Sequence, residues 1–184
     1  MIRSLAYKRA LAVLSAGGLI ACPTEAVYGL SCDPWNPSAV ARLLALKARA
    51  ASKGLILVGS SVTQFQWLLS SLPTAMQKRI ESSWPGPVTW VVPAPLEVPF
   101  YLRGDHHTIA IRVSNHPSLQ FLCNKFGPLI STSANPQGKR PARTALQVRR
   151  YFGNGLDFLL QDSLGKQSRP TQIFDALSGK TIRS

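Results

Sequence analysis

The 184-residue sequence predicts an α/β fold with a mixed sheet and flanking helices, in one domain spanning residues 1–184. Three observations lead there. Short apolar runs of strand length alternate with segments of helical periodicity along the whole chain. The hydrophobic content, 45%, is that of a chain that buries a core. No linker, internal repeat or low-complexity tract divides the sequence, and its length suits a single core.

The first helix is expected around Leu5, Val13 and Leu14, with Gly17-Gly18 as its stop. Leu19-Ile20-Ala21-Cys22 then reads as a buried strand running into Pro23-Thr24-Glu25. The same stretch has the order of a lipoprotein signal: Arg3, Lys8 and Arg9, then an apolar run ending at Cys22. The helix–strand reading is favoured over an anchor at Cys22. Asn36-Pro37 caps a helix carrying Val40, Leu43, Leu44 and Leu46. A strand over Gly54–Val58 precedes helical segments at Phe65–Leu69 and Ala75–Ile80. Val88–Val92 is strand-like and is stopped by Pro93 and Pro95. Thr108–Val113 alternates as a strand, His116-Pro117 opens a helix through Leu119 and Leu122, and Leu129-Ile130 is a short strand. A helix near Thr144–Tyr151 and strands at Phe158–Leu160 and Ile173-Phe174 complete the pattern. The alternation with both short and long connections implies a sheet that is mixed rather than purely parallel.

Charge narrows the function. Lys and Arg number 21 against 8 Asp and Glu, a net +13, without any long basic block. A folded body this basic attracts polyphosphates or nucleic acid. The three cysteines form no C-x-x-C pair, which argues against a disulfide framework or structural zinc and fits a reducing, cytoplasmic compartment. His106, His107 and His116 have no ligand spacing, so no metal site of protein origin is expected. No stretch is long and apolar enough to span a membrane. The phosphate loop G-x-x-x-x-G-K-[ST], the dinucleotide fingerprint and the G-x-S-x-G elbow are absent.

Five stretches stand out instead. Pro23-Thr24-Glu25-Ala26-Val27-Tyr28-Gly29-Leu30 sets hydroxyl, carboxylate and phenol at a strand-to-loop transition, as a plain turn also would. Lys47, Arg49 and Lys53 follow the second helix, where they suit either the helix dipole or a triphosphate. Trp84-Pro85-Gly86-Pro87-Val88-Thr89 is a rigid turn of structural character. Arg112, in the mostly apolar strand from Thr108, is costly to bury without an anion, and a bound carboxylate or phosphate would serve. Ser131-Thr132-Ser133-Ala134-Asn135 follows a buried strand with three hydroxyls and an amide, and Arg143 lies beyond it.

Together these stretches resemble the YrdC/TsaC family, the threonylcarbamoyl-AMP synthases of tRNA t6A modification, in its short bacterial form. PTEAVYGL, the K-x-R segment with Lys53, WPGPVT, AIRVSNHP and STSAN occur in order from about Leu5 to Arg183. The resemblance implies an open, twisted sheet around a concave basic cavity. It also implies adenylyl transfer from ATP to N-carboxythreonine, made from L-threonine and bicarbonate, with Mg²⁺ arriving on ATP and pyrophosphate leaving. By position, Lys47, Arg49 and Lys53 would hold and neutralise the phosphates without a covalent nucleophile. Thr108, Ser131, Ser133, Asn135, Arg143 and Arg183 would complete the ATP site. Thr24, Tyr28, Arg112, Thr132 and Thr171 would bind threonine, Arg112 taking its carboxylate. The partners implied are tRNA and the t6A transferase complex that accepts the adenylate. Two departures stand out: Ser31 and Ala50 replace a frequent Gly and Pro, which could narrow the loop after Tyr28 and loosen the phosphate segment. Residues 163–170, polar and containing Gly165, are a candidate lid by composition. A noncatalytic RNA-binding module remains the alternative, on charge alone.

Overall fold

The strands divide between two open sheets, both mixed. The structure, a computed structural model, describes residues 2–168 and 171–183. The smaller sheet runs, edge to edge, β7 (Thr132–Ser133), β2 (Tyr28–Ser31), β1 (Ile20–Pro23) and β8 (Phe158–Leu159). The larger runs β10 (Thr181–Arg183), β9 (Gln172–Asp175), β4 (Val88–Pro93), β5 (Thr108–Val113), β3 (Ile56–Gly59) and β6 (Leu129–Ile130). Within it β3 pairs parallel with β5, which places Val58 opposite Arg112, while β4 pairs antiparallel with β5 and parallel with β9.

Side-chain alternation along the strands decides what each sheet face does. In β1, Ile20 and Cys22 join a core under α1 (Ile2–Ser15) and α6 (Pro117–Phe126), while Ala21 on the other face joins the main core. Cys22 is fully buried and its thiol is pushed up to about 12 by that burial, with Ser31 as hydrogen-bond neighbour. A thiol buried in this way fits the helix–strand reading of the stretch. The helix is where it was expected, but its buried face is Tyr7, Ala10 and Leu14, and Leu5 is 59% exposed. Gly17, at φ 75°, ends that segment in a conformation that glycine adopts without strain.

In β5 the same alternation sends Ile109, Ile111 and Val113 into the main core and leaves Thr108, Ala110 and Arg112 on the opposite face. That opposite face is the floor of the site described below. The chain passes from the larger sheet to the smaller between β6 and β7. Ile130 N donates to Cys32 O and Ser131 N to Ile56 O as it crosses. The hydroxyl-rich stretch is thus a sheet-to-sheet crossing. β7 carries no apolar signal, and its strand character comes only from pairing Gly29 with Ser133 and Leu30 with Thr132. The two-residue β7, the three-residue β10 and the short α5 (Phe100–Arg103) are elements that periodicity alone does not reveal.

The helix α2 (Pro37–Lys47) follows the expected rule: Asn36 Oδ1 accepts from Ala39 N at 3.0 Å and Pro37 opens the first turn. It ends where Ala48 turns left-handed, at φ 50°. The remaining helices are α3 (Gln66–Leu69), α4 (Thr74–Ser82) and α7 (Ala145–Phe152). Asn36→Ala removes the cap and is expected to lower stability by about 1 kcal/mol, read as a shifted midpoint of urea unfolding with an unchanged slope.

Candidate active site

Between the two sheets lies a cavity of about 210 Å³. The smaller sheet and the turn before β2 supply Thr24, Tyr28, Gly29, Thr132 and Ser133. The larger sheet and its neighbours supply Arg112, Thr171, Arg183 and Arg49, and Ser131 closes the crossing. Gly29 matters here because a Cβ would lie 3.1 Å from Thr24 Cγ2 and 3.5 Å from Ser131 Oγ. Three guanidinium groups and a set of hydroxyls line this space, with no carboxylate among the lining residues. Burial and then the adjacent Arg183 lower the pKa of Arg49, and burial and then Arg112 lower that of Arg183. Like charges held this close, in partial burial, select for an anion.

A second compartment of about 300 Å³ adjoins the first and shares Arg49, Leu55, Ile56 and Arg183 with it. Its floor is apolar, with Val91, Leu102, Ala110 and Ile173, and its cations are Arg49, Lys53, Arg103 and Arg183. Thr108 and His106 stand at the same compartment. An apolar floor beside convergent cations suits a planar base joined to phosphates. Arg103, which the sequence reading passed over, arrives through α5. Leu55 N donates to Leu102 O, and Asp105 N to Ser52 O, which fastens α5 to the Lys53 segment. Gly104, at φ 66°, sits where a Cβ would lie 2.1 Å from Ser52 O.

Not every predicted residue faces these spaces. Lys47 is buried at 5% exposure, and its ammonium donates to the carbonyls of Ser133 and Asn135. It fixes the crossing loop from behind rather than lining either compartment. Burial, then the Arg49 charge, lowers its pKa to about 8. The Asn135 side chain is likewise spent inside the loop, accepting from Ser133 Oγ at 2.6 Å and donating to Lys139 O at 2.8 Å. Arg143 lies outside both linings and donates to Ser168 O at 3.4 Å. Ser31 points at Cys22 Sγ, 3.8 Å away, so it does not narrow the loop after Tyr28. Ala50 extends (φ −63°, ψ 136°) into the short helical turn of residues 51–53, and Arg49 donates to Gly54 O at 2.9 Å.

Two acid–base features were not foreseen. The anion beside Arg112 is Glu25: Nη1 and Oε2 are 3.4 Å apart, at 6% and 5% side-chain exposure. Ser114 Oγ donates to Glu25 Oε1 at 2.6 Å. The carboxylate stands next to a threonine in the PTEAVYGL stretch, and only the fold brings it to Arg112. The candidate lid, in its described part, is docked. Gly165 N donates to Thr24 O, Gln167 N to Glu25 O, and Tyr28 Oη to Asp162 O; residues 169 and 170 lie outside the described residues. His116 helps to hold this strap: its Nδ1 accepts from Ser118 N, which assigns the ring proton to Nε2, 3.1 Å from Ser163 O.

The profile of the Sua5/YciO/YrdC family, described as Telomere recombination, matches residues 12–184. The chain belongs to this family. Threonylcarbamoyl-AMP synthase of Pseudomonas fluorescens Pf-5 is 48% identical over 183 residues, covering 100% of this chain and 99% of its own. The enzyme of the same name from Pseudomonas aeruginosa PAO1 is 49% identical over the same length, with the same coverage. Among solved structures, P. abyssi Sua5 complexed with L-threonine superposes with a TM-score of 0.85 at 28% identity, covering 92% of this chain and 50% of that one. E. coli YciO, at 22% identity and a TM-score of 0.84, has the same fold, covering 99% of this chain and 89% of its own.

Two outcomes follow from the supporting residues. Lys47→Met leaves Asn135 O without its donor and Ser133 O with Asn135 N alone, and is expected to cost about 1–3 kcal/mol, measured by chemical unfolding. Burial lowers the pKa of His116 below its usual 6.5. The unfolded chain therefore takes up a proton first as pH falls, and stability declines below pH 6.5 until the folded imidazole also protonates. His116→Asn keeps an acceptor for Ser118 N, so the stability difference from wild type should shrink as pH falls below about 6.5 in unfolding titrations.

Proposed function

We propose that this chain forms threonylcarbamoyl-adenylate and pyrophosphate from L-threonine, bicarbonate and ATP. The carrying observation is the double compartment: a hydroxyl-lined cavity with Arg112, joined through Arg49 and Arg183 to an apolar, cation-rimmed space. Full-length relatives bearing the name threonylcarbamoyl-AMP synthase support the same reading. In this account Thr24, Tyr28, Thr132 and Thr171 surround threonine, and Arg112 faces its carboxylate. Thr108, Ser131, Ser133, Lys53 and Arg183 serve the nucleotide, with Arg49 between the two.

The threonine amine condenses with bicarbonate to a carbamate, releasing water. A carbamate oxygen then attacks the α-phosphorus of ATP, an oxygen–phosphorus bond forms, and the bond to the β-phosphate oxygen breaks as pyrophosphate departs. This is a nucleotidyl transfer that needs no enzyme nucleophile. The protein's part is to hold two anions within reach and to stabilise charge on the transferring phosphoryl group. Among the described residues no group of three or more His, Cys, Asp or Glu could hold a metal ion. Mg²⁺ accompanying ATP would partly neutralise the phosphate charge.

We further read the product as destined for tRNA in the cytoplasm, through a transferase complex, with tRNA contact on the basic surface. No Asp or Glu occurs between Asp105 and Asp157, and Lys139, Arg140, Arg143, Arg149 and Arg150 are exposed within that span. No helix among the described residues is long and apolar enough to cross a membrane. Pyrophosphate release is expected to require threonine and bicarbonate together, and Arg112→Ala should abolish this threonine-dependent release. Release without threonine, or full turnover in Arg112→Ala, contradicts the assignment. No release from a folded, ATP-binding chain whose RNA affinity falls steeply with salt would favour a binding module.

A further inference from the structure

We infer that Glu25 is a positioning residue for threonine, acting through Arg112 and set in place by the strap at residues 162–167. The inference rests on the reading of the cavity given above.

Arg112 is the penultimate residue of β5, its side chain 6% exposed, so its charge needs a fixed partner. Glu25 is that partner, yet it is absent from the lining of both compartments. It therefore meets the guanidinium from behind, while Arg112 itself lines the cavity. The contact is incomplete in a telling way. Oε1 is held by Ser114 Oγ at 2.6 Å, whereas Oε2, 3.4 Å from Arg112 Nη1, has no hydrogen bond. Arg112 Nε is also buried without a hydrogen-bond partner. A charge-assisted hydrogen bond ordinarily closes to about 2.7–2.9 Å. Arg112 is thus restrained but not fully satisfied, and the part of it that lines the cavity can meet an incoming carboxylate. The nearby charge of Arg183 would push an unrestrained Arg112 away from itself.

The backbone of Glu25 is fixed as firmly as its side chain. Its carbonyl accepts from Gln167 N at 3.1 Å, and the preceding Thr24 carbonyl accepts from Gly165 N at 2.9 Å. A Cβ at residue 165 would lie 2.5 Å from Glu25 O, so only glycine allows this approach. Ser114 is aligned in turn, its Oγ accepting from His116 N at 3.1 Å, and His116 reaches back to the strap at Ser163. A closed circuit therefore runs from strap to Glu25 to Ser114 to His116 and back to the strap, with Arg112 as its output to the cavity.

The test is steady-state pyrophosphate release by the full chain, with threonine and ATP varied separately. Glu25→Gln keeps the shape and removes the charge. It should raise KM for threonine about ten-fold and leave KM for ATP within about two-fold. Ser114→Ala should move threonine KM the same way by about three-fold, and it carries the test if Glu25→Gln fails to fold. In an Arg112→Lys background, whose ammonium cannot use the same geometry, Glu25→Gln should add little. An unchanged threonine KM, equal changes in both KM values, or an undiminished effect in the Arg112→Lys background each overturns the inference. A wild type without threonine-dependent release would instead overturn the functional reading beneath it.

Discussion

A guanidinium in the middle of a sheet has to be compensated, and much of this fold is organised around Arg112. The period of β5 places it on the cavity face, one residue from core isoleucine and valine on the other face. Its counter-charge comes from Glu25, 87 positions earlier in the sequence. To deliver it, the turn after β1 must hold its path, and the strap across residues 162–167 bonds to that turn through two carbonyls. The smaller sheet, the larger sheet and the strap meet at this one ion pair. Breaking a buried pair by removing one partner leaves the other uncompensated, which is why the surrounding restraints are so numerous.

The same economy of charge explains the two cationic roles near the end of α2. Lys47 and Arg49 are separated by one residue, yet Ala48 turns left-handed between them and sends them to different duties. Lys47 is directed inward to the carbonyls of the crossing loop, whereas Arg49 turns to the space shared by the two compartments. The first is a structural cation with a lowered pKa; the second is available to a ligand. The excess of basic residues over acids gains meaning here, since neither compartment has an acid in its lining. An anion can enter either compartment without meeting a like charge in its lining.

Much of the architecture was legible in the residues themselves. Apolar runs at strand spacing located β1, β3, β4, β5 and β6, and Asn36-Pro37 and His116-Pro117 marked two helix starts that the structure confirms. The motifs also pointed to the cavity. Thr24, Tyr28, Arg49, Arg112, Ser131, Thr132, Ser133, Thr171 and Arg183 line the first compartment, and Lys53 and Thr108 the second. Less legible were elements too short for periodicity, such as β7 and α5, whose existence depends on a neighbouring strand or turn.

What the sequence determined by itself was the alternation of elements, the supply of cations and hydroxyls, and the faces that had to be buried, because these depend on local spacing and residue chemistry. What only the tertiary structure decided was which of those groups is free to act. Lys47, Asn135 and Glu25 all belong to motifs that look equally exposed to chemistry in the linear chain. Folding assigns the first two to the inside of a loop and the third to the back of an arginine. Hydrogen-bond partners and burial are properties of residues far apart in the chain, so local pattern carries no record of them.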